Sequence, residues 1–190
     1  MAQPAVSGVH YVMDSKLSQF TVQAFASGMI AVVAHSPKLA IRDWEGETGF
    51  VPDSLKDAYL LLKAKTASLE VTDELSEDDR KQLHRVMHQE VLESTKFPEF
   101  TFESSAIDVE REKQDLYRLN VTGGLTLHGV RNPQSFVAQV VFGVDSYRAY
   151  GSFTIFQSDY GLKIASIAGG TLKLRDELKC SFYVVARKKQ

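Results

Sequence analysis

Five histidines and one cysteine carry most of the chemistry that this chain of 190 residues could perform. His84 and His88 stand four residues apart, a spacing that stacks two imidazoles on one face of a helix and can hold a metal. Residue 85 is an arginine, whereas the hydrolytic zinc motif needs a glutamate directly after its first histidine, and no third ligand stands nearby. The pair therefore reads as a solvated helix flank. His35 lies in the Ser/Pro loop Ala34-His35-Ser36-Pro37-Lys38, and loops carry function more often than strands do. His128 ends the run Gly123-Gly124-Leu125-Thr126-Leu127-His128, directly before Gly129. In that run Val121, Leu125 and Leu127 share one face, while Asn120, Thr122, Thr126 and His128 share the other. His128 thus either fixes a turn or meets a ligand head group or metal at a rim. If His35 and His128 met in space they would form the simplest metal site, with His10 or the helix pair assisting. A metal-binding protein or metal-dependent enzyme is the alternative function that follows.

The single cysteine, Cys180, excludes an intramolecular disulfide and fits a reducing compartment. Its neighbours Leu178-Lys179 and Ser181-Phe182 read as strand, which makes it a small apolar core residue rather than a nucleophile. No Ser-His-acid signature, phosphate-cradling glycine loop or cysteine cluster occurs, so the expectation is a protein without catalysis and with no required cofactor. A net charge of −2 argues against nucleic acid as a partner, which needs a clustered basic face. Arg187-Lys188-Lys189 reads as a solvated tail. No apolar run is long enough for a signal peptide or a transmembrane segment. The expected location is cytoplasmic, or periplasmic if a signal was removed.

The elements that must position these groups are mostly strands. Period-two alternation predicts strands over 10–14, 18–24, 42–51 and 58–66, the third ending in Gly-Phe-Val-Pro-Asp as a turn. One helix follows, capped by Ser76, with Glu77, Asp78 and Asp79 at its positive end. Leu83, Val86, Met87 and Val91 form its apolar stripe, and Phe97-Pro98 stops it. Strands resume at Phe100 and Phe102. A long one spans 116–130, with Gly123-Gly124 allowing a bend or bulge, and others run through Phe136 to Phe142, through Phe153 and Ile155, and over 178–186. About eight antiparallel strands, one helix and no linker or repeat predict one all-β domain over 1–190, a closed barrel or a sandwich. An eight-stranded barrel is wide enough to be filled by side chains or to hold one small ligand. The last strand carries apolar residues on both faces, Cys180, Phe182 and Val184 against Tyr183 and Val185, which would suit a buried edge in a homodimer.

Four stretches carry a resemblance. Tyr11-Val12-Met13-Asp14-Ser15 with Ser18-Gln19-Phe20-Thr21-Val22 opens the chain. Phe97-Pro98-Glu99-Phe100-Thr101-Phe102-Glu103-Ser104 follows the helix. Gly124-Leu125-Thr126-Leu127-His128-Gly129-Val130 comes next, and Ser158-Asp159-Tyr160-Gly161-Leu162 is the fourth. In this order and spacing they resemble the YceI family, in its bacterial members an antiparallel eight-stranded, lipocalin-like β-barrel. Gln157 stands where many members have arginine. The resemblance implies that an apolar or amphiphilic lipid, of isoprenoid or quinone type, is bound inside the barrel. The apolar strand faces then give the expected ligand-binding side chains: Phe20, Val22, Leu60, Leu62, Phe100, Phe102, Leu125, Leu127, Phe136, Val140, Phe142, Phe153, Ile155 and Phe182.

Overall fold

A computed structural model describes residues 8–27, 36–51, 58–164, 166–167 and 172–189. His35, the apolar run Met29 to Ala34 and the turn at Pro52-Asp53 lie outside the described residues. The strands are β1 (Val9–Met13), β2 (Gln19–Ser27), β3 (Lys38–Ile41), β4 (Trp44–Phe50), β5 (Tyr59–Lys65) and β6 (Leu69–Val71), then β7 (Glu99–Arg111), β8 (Leu116–Leu127), β9 (Val130–Phe142), β10 (Ser146–Phe156), β11 (Ser166–Ile167) and β12 (Leu172–Lys188). The helix α1 (Glu77–Arg85) lies between β6 and β7.

The order β1-β4-β5-β7-β8-β9-β10-β12 is antiparallel throughout and closes on itself through β1 and β12, an eight-stranded barrel. Three of its staves are broken in two. β1 and β2 lie end to end along β12, β3 continues into β4, and β5 continues into β6. The first break has a clear cause. Asp14 N–H donates to the Val185 carbonyl at 2.8 Å, and Ser18 Oγ accepts from Val185 N–H at 2.9 Å while donating to the Asp14 carbonyl at 2.6 Å. Local side-chain bonds thus replace the ladder for a few residues. The short pieces β2, β3 and β6 extend the barrel below the level at which β1 and β4 end.

We define the upper end by the β7–β8 and β9–β10 hairpins and the lower end by the β8–β9 hairpin. That lower hairpin corrects one expectation: no single strand covers 116–130. β8 stops at Leu127, and His128 (φ 53°) and Gly129 (φ 76°) form a two-residue connection with both φ positive. That backbone suits the right-handed twist of the flanking strands. The bend signalled by Gly123-Gly124 comes from the partner strand. The register shifts between Ser104 and Ala106 of β7, opposite Gly123. A Cβ on Gly123 would strike the Glu103 carbonyl and come within 2.6 Å of the Phe102 ring, so only glycine lets β7 pass this close.

Ser76 caps α1 by accepting from Asp79 N–H at 3.2 Å. The helix continues past Arg85 as a widened turn over Val86–Val91, giving fifteen residues, 77–91. It ends well before Phe97-Pro98, because Glu93 takes up φ 44° and turns the chain. Met87, Val91 and Leu92 pack against Leu69, Phe102, Leu125 and Leu178, so the helix caps the lower end of the barrel. The upper end is packed by rings: Tyr11 stacks on Phe50 at 5.6 Å and tilts against Tyr147 at 5.2 Å, and Phe142 meets Tyr117 edge-on at 5.4 Å. Both edges of β12 are occupied, by β10 on one side and by β2 and β1 on the other. Its two apolar faces therefore do not mark a free edge. Val184 faces the core and Tyr183 faces out, 43% exposed. Among the described residues no helix is long and apolar enough to cross a membrane.

Candidate functional site: a charge-free cavity through the barrel

Strand alternation puts one side chain in two inside, and the inward set does not fill the space. A cavity of about 270 Å³ remains. Its wall runs from Phe50, Phe142 and Tyr147 at the upper end to Leu83, Met87 and Val91 under the helix. β12 alone lines it from Leu174 to Val184, roughly 30 Å of extended strand at about 3.3 Å per residue. All fourteen side chains expected from strand alternation, Phe20 through Phe182, border this cavity. The sequence reading missed the floor. The apolar stripe of the helix was legible, but nothing local says that it plugs the same barrel. It also missed Thr48, Tyr147 and Gln157 as polar residues of the wall, because each sits in a strand or turn whose signal is purely structural.

No Asp, Glu, Lys, Arg or His side chain among the described residues lines the cavity. Its polar groups are few and partnered. Tyr147 OH and Thr48 Oγ1 lie 2.9 Å apart near the upper end, and burial pushes the Tyr147 hydroxyl up to about 12. Tyr59, paired with Gly49 in the row beside the inward Thr48 and Leu60, turns its hydroxyl to the outer face, 3.0 Å from His10 Nδ1. Gln157, 4% exposed, donates from Nε2 to the Arg175 carbonyl at 2.8 Å. Cys180 also borders the cavity, and burial pushes its thiol up to about 12, so it stays protonated and unreactive. Such a wall can hold hydrocarbon along its length and a neutral hydrogen-bonding group at its upper end.

The described histidines are engaged elsewhere. His128 lies outside the cavity wall, with Nε2 2.9 Å from Glu93 Oε2 and its ring 4.1 Å from that of Phe97. Its partner Glu93 is the other non-glycine residue of positive φ among the described residues, so two strained backbone positions are tied to each other. The contact joins the hairpin to the end of the helical segment that floors the barrel. His88 uses both ring nitrogens: Nε2 lies 3.0 Å from the Leu69 carbonyl and Nδ1 2.8 Å from Ser94 Oγ. The carbonyl can only accept, so Nε2 carries the proton and Nδ1 accepts from the serine. The His84 ring lies tilted against it, 4.3 Å between centroids. Among the described residues no three His, Cys, Asp or Glu side chains gather around one point that could hold a metal, and His35 lies outside them.

Solved proteins share this architecture. The structure matches Burkholderia cenocepacia BcnA with a TM-score of 0.69 at 19% identity, covering 91% of this chain and 98% of that one. It matches a polyisoprenoid binding domain from Saccharophagus degradans, implicated in plant cell wall breakdown, with a TM-score of 0.68 at 13% identity over 94% and 98% of the two chains. At these identities the likeness is one of fold. A UPF0312 protein of Pseudomonas savastanoi pv. phaseolicola is 30% identical over 141 residues, 70% of this chain and 67% of that protein. The YceI-like domain matches residues 11–186. With nearly the whole barrel inside that match, the chain belongs to the YceI-like domain family.

Proposed function

We propose that the barrel holds a neutral, mostly hydrocarbon lipid of isoprenoid or quinone type and does no chemistry on it. The observation that carries this reading is the cavity wall without a single charged side chain among the described residues. A hydrocarbon chain gains about 25 cal/mol for each Å² it withdraws from water. A charged head group buried on this wall would meet no counter-ion and lose its hydration. The head group is therefore neutral, or stays at the surface. A carbonyl or hydroxyl at the upper end has the Tyr147–Thr48 pair to meet. The Saccharophagus neighbour, described as polyisoprenoid-binding, supports the same class of ligand.

The fourteen alternating side chains form the sides of the ligand site, and Leu83, Met87 and Val91 form its floor. The wall offers no activated nucleophile: the Tyr147 and Thr48 hydroxyls pair with each other, no acid or base among the described residues stands beside them in the cavity, and the thiol is held protonated. This supports carriage rather than catalysis, with no metal or cofactor required. Carriage serves equally in a bacterial cytoplasm, the location expected from the sequence, or in a periplasm.

Native mass spectrometry of protein purified without detergent tests the reading. The expected result is a discrete addition of several hundred daltons that partitions into organic solvent. A bare mass, with no gain after incubation with a polyprenyl quinone, refutes it.

A further inference from the structure

The outside of the barrel is as asymmetric as its inside is uniform. β9, β10 and the part of β12 from Leu178 onward contain no aspartate or glutamate, while β4 and β7 between them carry Glu45, Glu47, Glu99, Glu103, Asp108 and Glu110. Register places the outward residues of the acid-free wall side by side. Val141, Arg148 and Val185 form one row, and Gln139, Tyr150 and Tyr183 the next. Tyr150 and Tyr183 are 47% and 43% exposed although directly paired. Beside them Leu17, Ser146, Arg148, Tyr183, Val185 and Arg187 line a shallow depression on the outer surface. Arg148 and Lys179 have no ion-pair partner among the described residues, and Arg187 leans on Asp14 at 3.3 Å. The other nearby carboxylates lie at the edges: Glu112, 3.4 Å from Gln139, Asp145 in the hairpin that enters β10, and Glu177, opposite Phe156 at the lower end of the wall and two residues from Lys179.

From this wall we infer a docking face for an anionic lipid bilayer, with Arg148, Lys179 and Arg187 on the phosphates and Tyr150, Tyr183 and Leu17 at head-group depth. Charge decides between occupants. A second copy meeting this wall through a two-fold axis would bring Arg148 and Lys179 against residues of their own sign. An anionic bilayer complements them, and tyrosine is the side chain that settles at a membrane–water interface. The inference rests on the lipid-holding reading, because a carrier must collect its cargo from a membrane.

Co-sedimentation of the full chain with vesicles tests it, comparing phosphatidylcholine alone with an equimolar mixture of phosphatidylcholine and phosphatidylglycerol. We expect binding to the mixed vesicles only. It should be lost between about 0.1 M and about 1 M salt, where the screening length falls from about 10 Å to about 3 Å. Neutralising one basic residue removes about 1 kcal/mol, or about fivefold in affinity, so R148Q/K179Q should bind about 25-fold more weakly. Y150S/Y183S should weaken binding without changing its salt dependence. Parent-like melting temperatures verify that these surface variants fold, and the single substitutions carry the test if a pair does not. Absence of binding to the mixed vesicles, equal binding to both vesicle types, or a dimer in sedimentation velocity that R148Q/K179Q abolishes overturns the inference. Extractable lipid and vesicle binding are separate readouts, so failure of the carrier reading and failure of the docking face are distinguishable.

Discussion

Ala138 and Ala149 line the cavity from adjoining strands β9 and β10, 5% and 8% exposed. Replacing either by leucine distinguishes a hollow barrel from a packed one by the sign of the result. Leucine adds three carbons, worth about 2.4 kcal/mol of transfer free energy at about 0.8 kcal/mol each if they enter empty space. Fixing its rotamer costs about 0.5–1 kcal/mol. Ala138→Leu and Ala149→Leu should therefore each stabilise the lipid-free protein by about 1.5–2 kcal/mol. At about 2–4 °C per kcal/mol for a chain of this size, melting rises by about 3–8 °C. In a filled interior the same carbons would displace neighbours and cost about 1–3 kcal/mol. Urea unfolding of lipid-stripped protein, with the slope checked for constancy, reads the stability. The two variants should also gain less than the parent from added polyprenyl quinone, since bound ligand stabilises only the folded state that can hold it. If both leucines destabilise by about 1 kcal/mol or more, the interior is full and the carrier reading loses its cavity.

Burial, helped by the neighbouring His84, holds the His88 imidazole below its ordinary pKa. The unfolded chain takes up that proton near pH 6.5 while the folded one refuses it, so stability should fall as pH drops below about 6.5 and level off once folded His88 titrates. Urea midpoints from about pH 8 to about pH 5 give the slope, and His88→Gln should flatten it; an unchanged slope in the variant contradicts the assignment. His128→Ala should cost about 1–2 kcal/mol, because it removes the Glu93 contact and places a poorer residue at positive φ. His128→Asn, which tolerates that backbone, should cost less, and a double-mutant cycle with Glu93→Gln should show about 1 kcal/mol of coupling; strict additivity would dissolve the pairing. The Cys180 thiol should ignore Ellman's reagent in the folded protein and react fully in denaturant. Fast labelling of the native state would mean that the β12 wall opens.

Alternation was the signal that worked. Leu60, Leu62, Phe100, Phe102, Phe153 and Ile155 point inward because a strand has only two faces, and a face rich in aromatics must leave water. That is a property of neighbouring residues, so it can be read along the chain. The helix N-terminus was legible for the same reason: Ser76 bonds to a backbone group three residues away. Its end was misplaced, since Glu93 turns out of the helix into a conformation that its own type disfavours, and a contact with His128, thirty-five residues on, accompanies it. The breaks between β1 and β2 and between β5 and β6 hid the number of hydrogen-bonded strands, which depends on register with β12 and β4.

The sequence by itself determined the all-β class, the inward faces, the cap of the helix and the family motifs, because each rests on chain neighbours and side-chain period. Tertiary structure alone decided three things. It showed that the inward faces leave a cavity, because packing is a sum over eight staves. It made the helix the floor of that cavity, because only barrel closure brings residues 83–91 beneath Phe102 and Leu178. It also answered the question posed by His128, whose polar face and turn position fit a side chain that fixes a turn as well as one that meets a ligand head group or metal. The partner that distinguishes them, Glu93, is brought to 2.9 Å by the fold and not by spacing in the chain.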